Sequence, residues 1–235
     1  MAFPLIRRTL HHHFTSNCHL CGLTISPPLG ETIWCNHCLR YFQTNPRCQQ
    51  CGLLTPTPVS QCGRCLTQPP PWNRLYCIGD YRYPLSYYVY QLKYAGMFQY
   101  AYDLSYLLSQ HIDTPAPLIT SVPLHWRRYL KRGFNQSDVI AHYLCQHFST
   151  PSILNKQLFK RIRATPYQQG LNKQQRKRNL NNAFRLQEQP PYQHIAIVDD
   201  VVTTGSTVRH LCDLLLDVGV KKIDIYSLCR TPEPS

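Results

Sequence analysis

An α/β domain on a parallel sheet flanked by helices, with a small cysteine-rich module ahead of it, is the fold class this sequence predicts. Three observations predict it. The C-terminal part reads strand, helix, strand, with IAIV at 195–198, STVRHLCDLLLDVG at 206–219 and VKKIDIYSLCR at 220–230. A crossover of that kind joins parallel strands. Four Cys-x-x-Cys pairs fall between residues 18 and 65. Between the last strands, an apolar run goes straight into two carboxylates and then into small hydroxyl residues around a glycine, VDDVVTTGSTV.

Composition bounds the reading. At 235 residues with 43% hydrophobic content, the chain can bury the core of one full domain and still carry a small module. No apolar run approaches the roughly 20 residues that cross a bilayer. The opening MAFPLIRRTLHHHF lacks a sustained apolar stretch and a small-residue cleavage site, so it does not read as a signal peptide. The cytoplasm is the expected compartment. Against 25 Lys and Arg stand only 12 Asp and Glu, a formal charge of +13. That excess points to a polyanionic partner, nucleic acid or a phosphorylated ligand.

The cysteine pairs are Cys18/Cys21, Cys35/Cys38, Cys48/Cys51 and Cys62/Cys65. Two intervening residues let a tight turn aim both thiolates at one Zn²⁺, and two such knuckles complete a tetrahedron. Two structural zinc ions follow. Sequential pairing keeps each closed loop short and is expected on entropy grounds, with interleaved pairing left open. A redox pair would need a strand–helix context that the segment lacks. Cys77, Cys145, Cys212 and Cys229 stand singly among apolar residues and read as small core residues. The zinc-ribbon module is expected over 15–68. Prolines 69 to 71 form a stiff linker, and the second domain follows over 72–235.

The elements of that domain follow in order. LYCIGDYRY reads as a strand. PLSYYVYQLKYAGMFQYAYDLSYLLSQH has helical spacing broken at Gly96, giving two helices or a kinked one. LITSVPL suits a buried strand. NQSDVIAHYLCQHF places Val139, Ile140, Tyr143, Leu144 and Phe148 on one helical face, with Asn135 or Ser137 as N-cap. RIRATPYQQGLNKQQRKRNLNNAF is polar, basic and weakly periodic, and reads as including a mobile loop. Gly219 sits where the last helix needs a C-cap.

Asp199 and Asp200 fall at the carboxyl end of a strand, where open parallel sheets bind ligands. Thr203, Thr204, Gly205, Ser206 and Thr207 then bend around a helix N-terminus, whose amides and dipole suit a phosphate. The carboxylates suit sugar hydroxyls or hydrated Mg²⁺. A ribose 5-phosphate satisfies both halves. The missing lysine of a Gly-x-x-x-x-Gly-Lys-Ser/Thr motif argues against an ATPase loop.

VDDVVTTGST resembles the ribose-phosphate signature of type I phosphoribosyltransferases. The resemblance implies that Asp199 and Asp200 hold the ribose hydroxyls of phosphoribosyl pyrophosphate (PRPP) with Mg²⁺, and that residues 203 to 207 hold its 5-phosphate. With VPLHWRRYLKRGFNQS at 122–137, TPYQQGLNKQQRKRN at 165–179 and the cysteine pairs, the chain resembles the ComF family from Cys18 to Arg230. That family is associated with natural transformation, the uptake of single-stranded DNA into the bacterial cytoplasm. By this resemblance Pro123, Leu124, His125, Arg127 and Arg128 face pyrophosphate. Lys131, Arg132, Lys173, Arg176, Lys177 and Arg178 are the expected nucleic-acid cations. His125 is open to two readings, a general acid or base and a loop-packing residue. A PRPP-binding competence protein that handles single-stranded DNA is the first functional expectation, with partners among competence proteins at the inner face of the membrane. An active transferase moving phosphoribosyl to an unidentified acceptor is the alternative. A zinc-ribbon scaffold with a dead cleft ranks last, because it leaves VDDVVTTGST unused.

Overall fold

The computed structural model describes residues 16–25, 32–42, 45–162 and 183–232. Contacts divide the chain into two units, Met1–Gln43 and Thr44–Ser235. In the first, β1 (Ser16–Asn17) pairs antiparallel with β2 (Thr24–Ile25), and α1 spans Asn36–Leu39. Cys18 and Cys21 lie in the turn between the strands. Gly22 closes that turn at φ 75, donating its N–H to the Cys18 carbonyl at 2.8 Å. A small core forms where the buried Trp34 and Phe42 rings pack with centroids 4.5 Å apart.

The second unit begins with the other two cysteine pairs and α2 (Gly63–Thr67). It continues through β3 (Arg74–Asp80), α3 (Leu85–Ala95), α4 (Gln99–Ser109), β4 (Leu118–Ser121), α5 (Trp126–Arg132) and α6 (Gln136–His147). Short strands β5 (Ile153–Leu154), β6 (Phe159–Arg161) and β7 (Phe184–Leu186) precede β8 (His194–Val202), α7 (Ser206–Asp217) and β9 (Lys222–Arg230). The order β3-β9-β8-β4-β5 is parallel throughout, as the α/β reading expects. β6 and β7 form a separate antiparallel ribbon.

β8 lies inside the sheet, so both its faces are covered and Ile195, Ala196, Ile197 and Val198 are fully buried. Each large apolar side chain so buried contributes about 1.5–3 kcal/mol. The pleat sends Ile195 and Ile197 toward Val208, Leu211, Cys212 and Leu215 of α7. α3, α4 and α6 supply buried apolar stripes of their own, among them Val89, Leu92, Leu104, Leu108, Ile140 and Leu144.

Several boundaries differ from expectation for local reasons. The first domain strand starts at Arg74 and ends at Asp80, before the turn to Pro84. LITSVPL is a strand only to Ser121. Val122 makes the last ladder bond, its N–H to the Val198 carbonyl at 2.9 Å, and Pro123 has no N–H to continue. Gly96, at φ 65, separates two helices. Asn135 is the α6 N-cap, accepting from the Ser137 N–H at 3.2 Å. On that helix Ile140 and Leu144 are buried, while Val139, Tyr143 and Phe148 are half-buried. Cys77, Cys212 and Cys229 are core residues, and Cys145 is only half-buried. The helix WRRYLKR and strands β5 to β7 carry no periodic signal in the sequence.

Candidate functional site

The cleft is built where β8 ends beside β4. Asp199 and Val201 to Val208 line a concave pocket there. Gly205 takes φ 76, a left-handed conformation that L side chains rarely adopt, and serves as the N-cap of α7. A Cβ at Gly205 would stand 2.9 Å from the Trp72 ring, so packing excludes a side chain as well. The first helical bond runs from the Arg209 N–H to the Gly205 carbonyl at 2.9 Å. The amides of the first turn have no acceptor within the helix; the Ser206 N–H reaches the Thr204 hydroxyl at 3.4 Å, and the turn as a whole suits an anion. The Thr204 and Ser206 hydroxyls are hydrogen-bonded to each other, while Thr203 and Thr204 are exposed at the rim.

The two carboxylates have different surroundings. Successive strand residues point to opposite faces. Asp200 is buried, and its Oδ2 lies 2.6 Å from Nζ of Lys93 on α3. Burial alone would lower the Lys93 pKa, but the charge and hydrogen bond of Asp200, with the Asp199 charge added, together hold the ammonium above its usual value. Asp199 is half-buried and faces the pocket. Its Oδ1 accepts from the Asp200 N–H at 2.9 Å and from the Ser137 hydroxyl at 3.4 Å. Burial, and then the Asp200 charge, push its pKa up to about 8 against the opposing pull of Lys93.

Across the cleft, the turn after β4 is fixed by polar contacts. Asn135 donates Nδ2 to the Val122 carbonyl at 3.1 Å and to Asp138 Oδ1 at 2.9 Å, and the Ser121 hydroxyl donates to the same carboxylate oxygen. His125 is buried and caps α5, its Nδ1 accepting from the Arg127 N–H at 3.3 Å. Burial, then Arg161, Arg127 and Arg128, lower its pKa. Its Nδ1 lone pair is engaged as a cap, and the lowered pKa favours the neutral imidazole. Pro123 and Leu124 lie in this turn, half-buried, and α5 itself buries no residue. Arg127 and Lys131 are exposed and Arg128 is half-buried. Arg132 donates to Gln136 Oε1 at 3.1 Å and lies 5.1 Å above the Tyr94 ring. Lys173, Arg176, Lys177 and Arg178 lie outside the described residues.

Sequence reasoning missed Lys93 and Arg161. Lys93 sits mid-helix in a tyrosine-rich segment, and nothing local marks it as the partner of Asp200. Arg161 lies over the Phe184 ring at 5.1 Å, with its pKa lowered to about 10 by burial and by Arg128, and favoured by Asp199.

The cysteines gather in two sequential quartets, 18/21/35/38 and 48/51/62/65, with sulfurs within 4.8 Å of one another in each. The sulfurs of Cys21 and Cys35 lie 3.8 Å apart, those of Cys48 and Cys65 3.8 Å, and those of Cys51 and Cys62 3.7 Å. Zn–S bonds of about 2.3 Å in a tetrahedron require a sulfur separation of about 3.8 Å. Each quartet can therefore hold a zinc ion, and four thiolates leave no open position for catalysis.

Comparison with known proteins adds to this geometry. Residues 131–235 match the model of the phosphoribosyl transferase domain. The chain is similar to DNA utilization protein YhgH of Salmonella typhimurium, 43% identical over 225 residues, which cover 91% of this chain and 96% of that protein. It is similar to YhgH of Escherichia coli K12, at 41% over 223 residues with the same coverage. Competence protein F of Haemophilus influenzae is 34% identical over 208 residues, covering 83% of this chain and 90% of that protein. A parallel sheet with a phosphoribosyltransferase domain, two cysteine quartets and relatives so named along nearly its whole length place this chain in the ComF family.

Proposed function

We propose that this chain binds PRPP in the β8–α7 cleft and handles imported single-stranded DNA during natural transformation. One observation carries the ligand assignment. A hydroxyl-rich loop wraps the N-terminus of α7 directly after a pocket-facing carboxylate, at the carboxyl end of an inner parallel strand. In this reading the 5-phosphate sits on Thr203 to Thr207 and the ribose hydroxyls donate to Asp199. Asp200 supports the site from behind, with Lys93 sharing its charge. Pro123 to His125 with Arg127 and Arg128 face the pyrophosphate, and Mg²⁺ arrives with PRPP. In this reading the zinc-ribbon residues are 15–68 and the ligand-binding domain is 72–235.

The DNA half rests on different features. The named relatives include a competence protein and DNA utilization proteins. α5 presents Arg127, Lys131, Trp126 and Tyr129 to solvent with no carboxylate in its sequence, and Tyr90 and Tyr94 are exposed on α3. Cations next to exposed aromatic faces suit a single strand, whose phosphates and unstacked bases are both within reach. Among the described residues no helix is long and apolar enough to cross a membrane. A cytoplasmic protein working with competence proteins at the inner face of the membrane fits the reading.

Thermal-shift titration with PRPP and Mg²⁺ tests the ligand. Stabilisation of the wild type and its loss in Asp199→Asn are expected, and equal stabilisation of both would defeat the assignment. Incubation with PRPP, Mg²⁺, bases and DNA, followed by pyrophosphate release, tests the second reading, an active phosphoribosyltransferase. The intact ribose-phosphate loop favours that reading. An abasic oligonucleotide tests the aromatic contribution to DNA binding, since it keeps the phosphates and removes the stacking.

A further inference from the structure

The second cysteine quartet is joined to the phosphate loop from behind. Three consecutive carbonyls in its first knuckle are taken by donors from the α/β fold. The Leu75 N–H donates to Gln49 at 2.9 Å, Trp72 Nε1 to Gln50 at 2.7 Å and Arg230 Nε to Cys51 at 3.0 Å. Two of those donors also reach the loop. The Trp72 ring fills the space a Gly205 Cβ would need. Arg230, the last residue of β9, is buried, and its Nη1 donates to the Val202 carbonyl at 3.0 Å and to the Thr203 carbonyl.

That contact has a directional consequence. In a trans peptide the carbonyl and the following N–H point in opposite directions. With the Val202 and Thr203 carbonyls drawn inward onto Arg230, the Thr203 and Thr204 amides are turned outward, toward the pocket. The guanidinium is in turn fixed by the Cys51 carbonyl, and its fork geometry lets it serve both elements together. With zinc bound, four thiolates would leave the quartet with net negative charge, which would offset burial of the Arg230 cation.

We infer that Arg230 is a positioning residue for the phosphate loop, and that metal at Cys48, Cys51, Cys62 and Cys65 holds it in register. The second quartet is then a structural support of the anion site. This rests on reading the pocket as a phosphate site, so its test includes an arm that needs no ligand.

Hydrogen exchange of the full chain followed by mass spectrometry supplies that arm. In Arg230→Lys, which keeps the charge but loses the fork, exchange of the Arg209 to Cys212 amides, whose helical bonds reach back to Gly205–Val208, is expected to rise at least tenfold, with 195–198 and zinc content unchanged. PRPP affinity should fall about tenfold. Wild-type exchange at Arg209 to Cys212 in this variant would overturn the inference. Should the variant fail to fold, chelator treatment of the wild type replaces it, with alkylation of Cys48 to Cys65 reporting metal loss from this quartet. Exchange of the Arg209 to Cys212 amides should then rise in step with alkylation, and alkylation without such a rise would overturn the inference. If the wild type ignores PRPP while Arg230→Lys still frees the loop, the ligand reading fails and the support role stands.

Discussion

The two sides of the cleft are built differently. On the β8–α7 side, Asp200 is buried against Lys93, Gly205 is wedged against Trp72, and the loop carbonyls are held by buried Arg230. On the β4–α6 side, the turn is fixed by Asn135 and Asp138, but the helix that follows, α5, buries no residue and projects Arg127 and Lys131 outward. A fixed wall suits a small ligand of set geometry, because donors already in place lose little freedom on binding. An outward basic helix suits a long polyanion, which is held by many weak, screened contacts. The contrast divides the proposed labour, with PRPP on the fixed wall and DNA along the projecting one.

The largest expected effect comes from breaking the fixed wall at Lys93. Lys93→Met leaves the Asp200 carboxylate buried with no counter-charge. Removing one partner of a buried pair costs about 3 kcal/mol. Chemical denaturation should show that loss, and Lys93→Met combined with Asp200→Asn should recover most of it. A single variant as stable as the wild type would mean that the wall does not depend on the pair. Gly205→Ala comes next. A left-handed φ costs about 1 kcal/mol for an L-residue, and contact with Trp72 adds to it. A loss of about 2 kcal/mol is expected, together with weaker PRPP stabilisation. The Trp72→Leu background should relieve the steric part only.

The contrast was only half legible in the sequence. The strand–helix–strand pattern, the paired aspartates and the loop 203–207 are local features, and periodicity with turn chemistry exposes them. The cysteine quartets were legible for the same reason, since short loops keep ligand pairs close. What stayed hidden depends on distance along the chain. Lys93 meets Asp200 across more than a hundred positions, and Arg230 meets Cys51 across an interval of 179. No local pattern encodes such contacts. The different surroundings of Asp199 and Asp200 were hidden as well. Strand alternation separates their side chains, but only the packed helices decide which face is buried.

Asp199 sharpens the comparison through pH. Its folded pKa of about 8 lies above the ordinary carboxylate value of 3.8. Its contribution to stability is therefore full below pH 3.8 and is lost as pH rises through about 8. Ribose hydroxyls donate to the charged form, so binding below that pKa releases a proton. PRPP affinity should rise as pH climbs toward about 8 and level off above it, by at most tenfold per pH unit. Calorimetry in two buffers of different ionisation enthalpy would read the released proton directly. Asp199→Asn should abolish the release, and Asp200→Asn, which removes a charge that raises the Asp199 pKa, should move it to lower pH. Affinity that is flat across this range would remove Asp199 from the ribose contact.

The smallest effect expected per residue lies on the projecting side. Each phosphate contact on a single strand steepens the log–log dependence of affinity on salt by about 0.7. Lys131→Gln and Arg132→Gln should each flatten that slope by up to this amount and leave PRPP stabilisation intact, because they lie beyond the turn proposed to face pyrophosphate. Arg127→Gln and Arg128→Gln should lower both, since they stand between the two ligands. Neutral replacements at Lys173, Arg176, Lys177 and Arg178 test the remaining basic run in the same way, and loss of transformation in a host that depends on the protein should accompany a flatter slope. A slope that survives all of these changes would place DNA elsewhere on the molecule. Loss of pyrophosphate release on replacing Arg127 and Arg128, with DNA binding untouched, would assign that side of the cleft to the transferase reading instead.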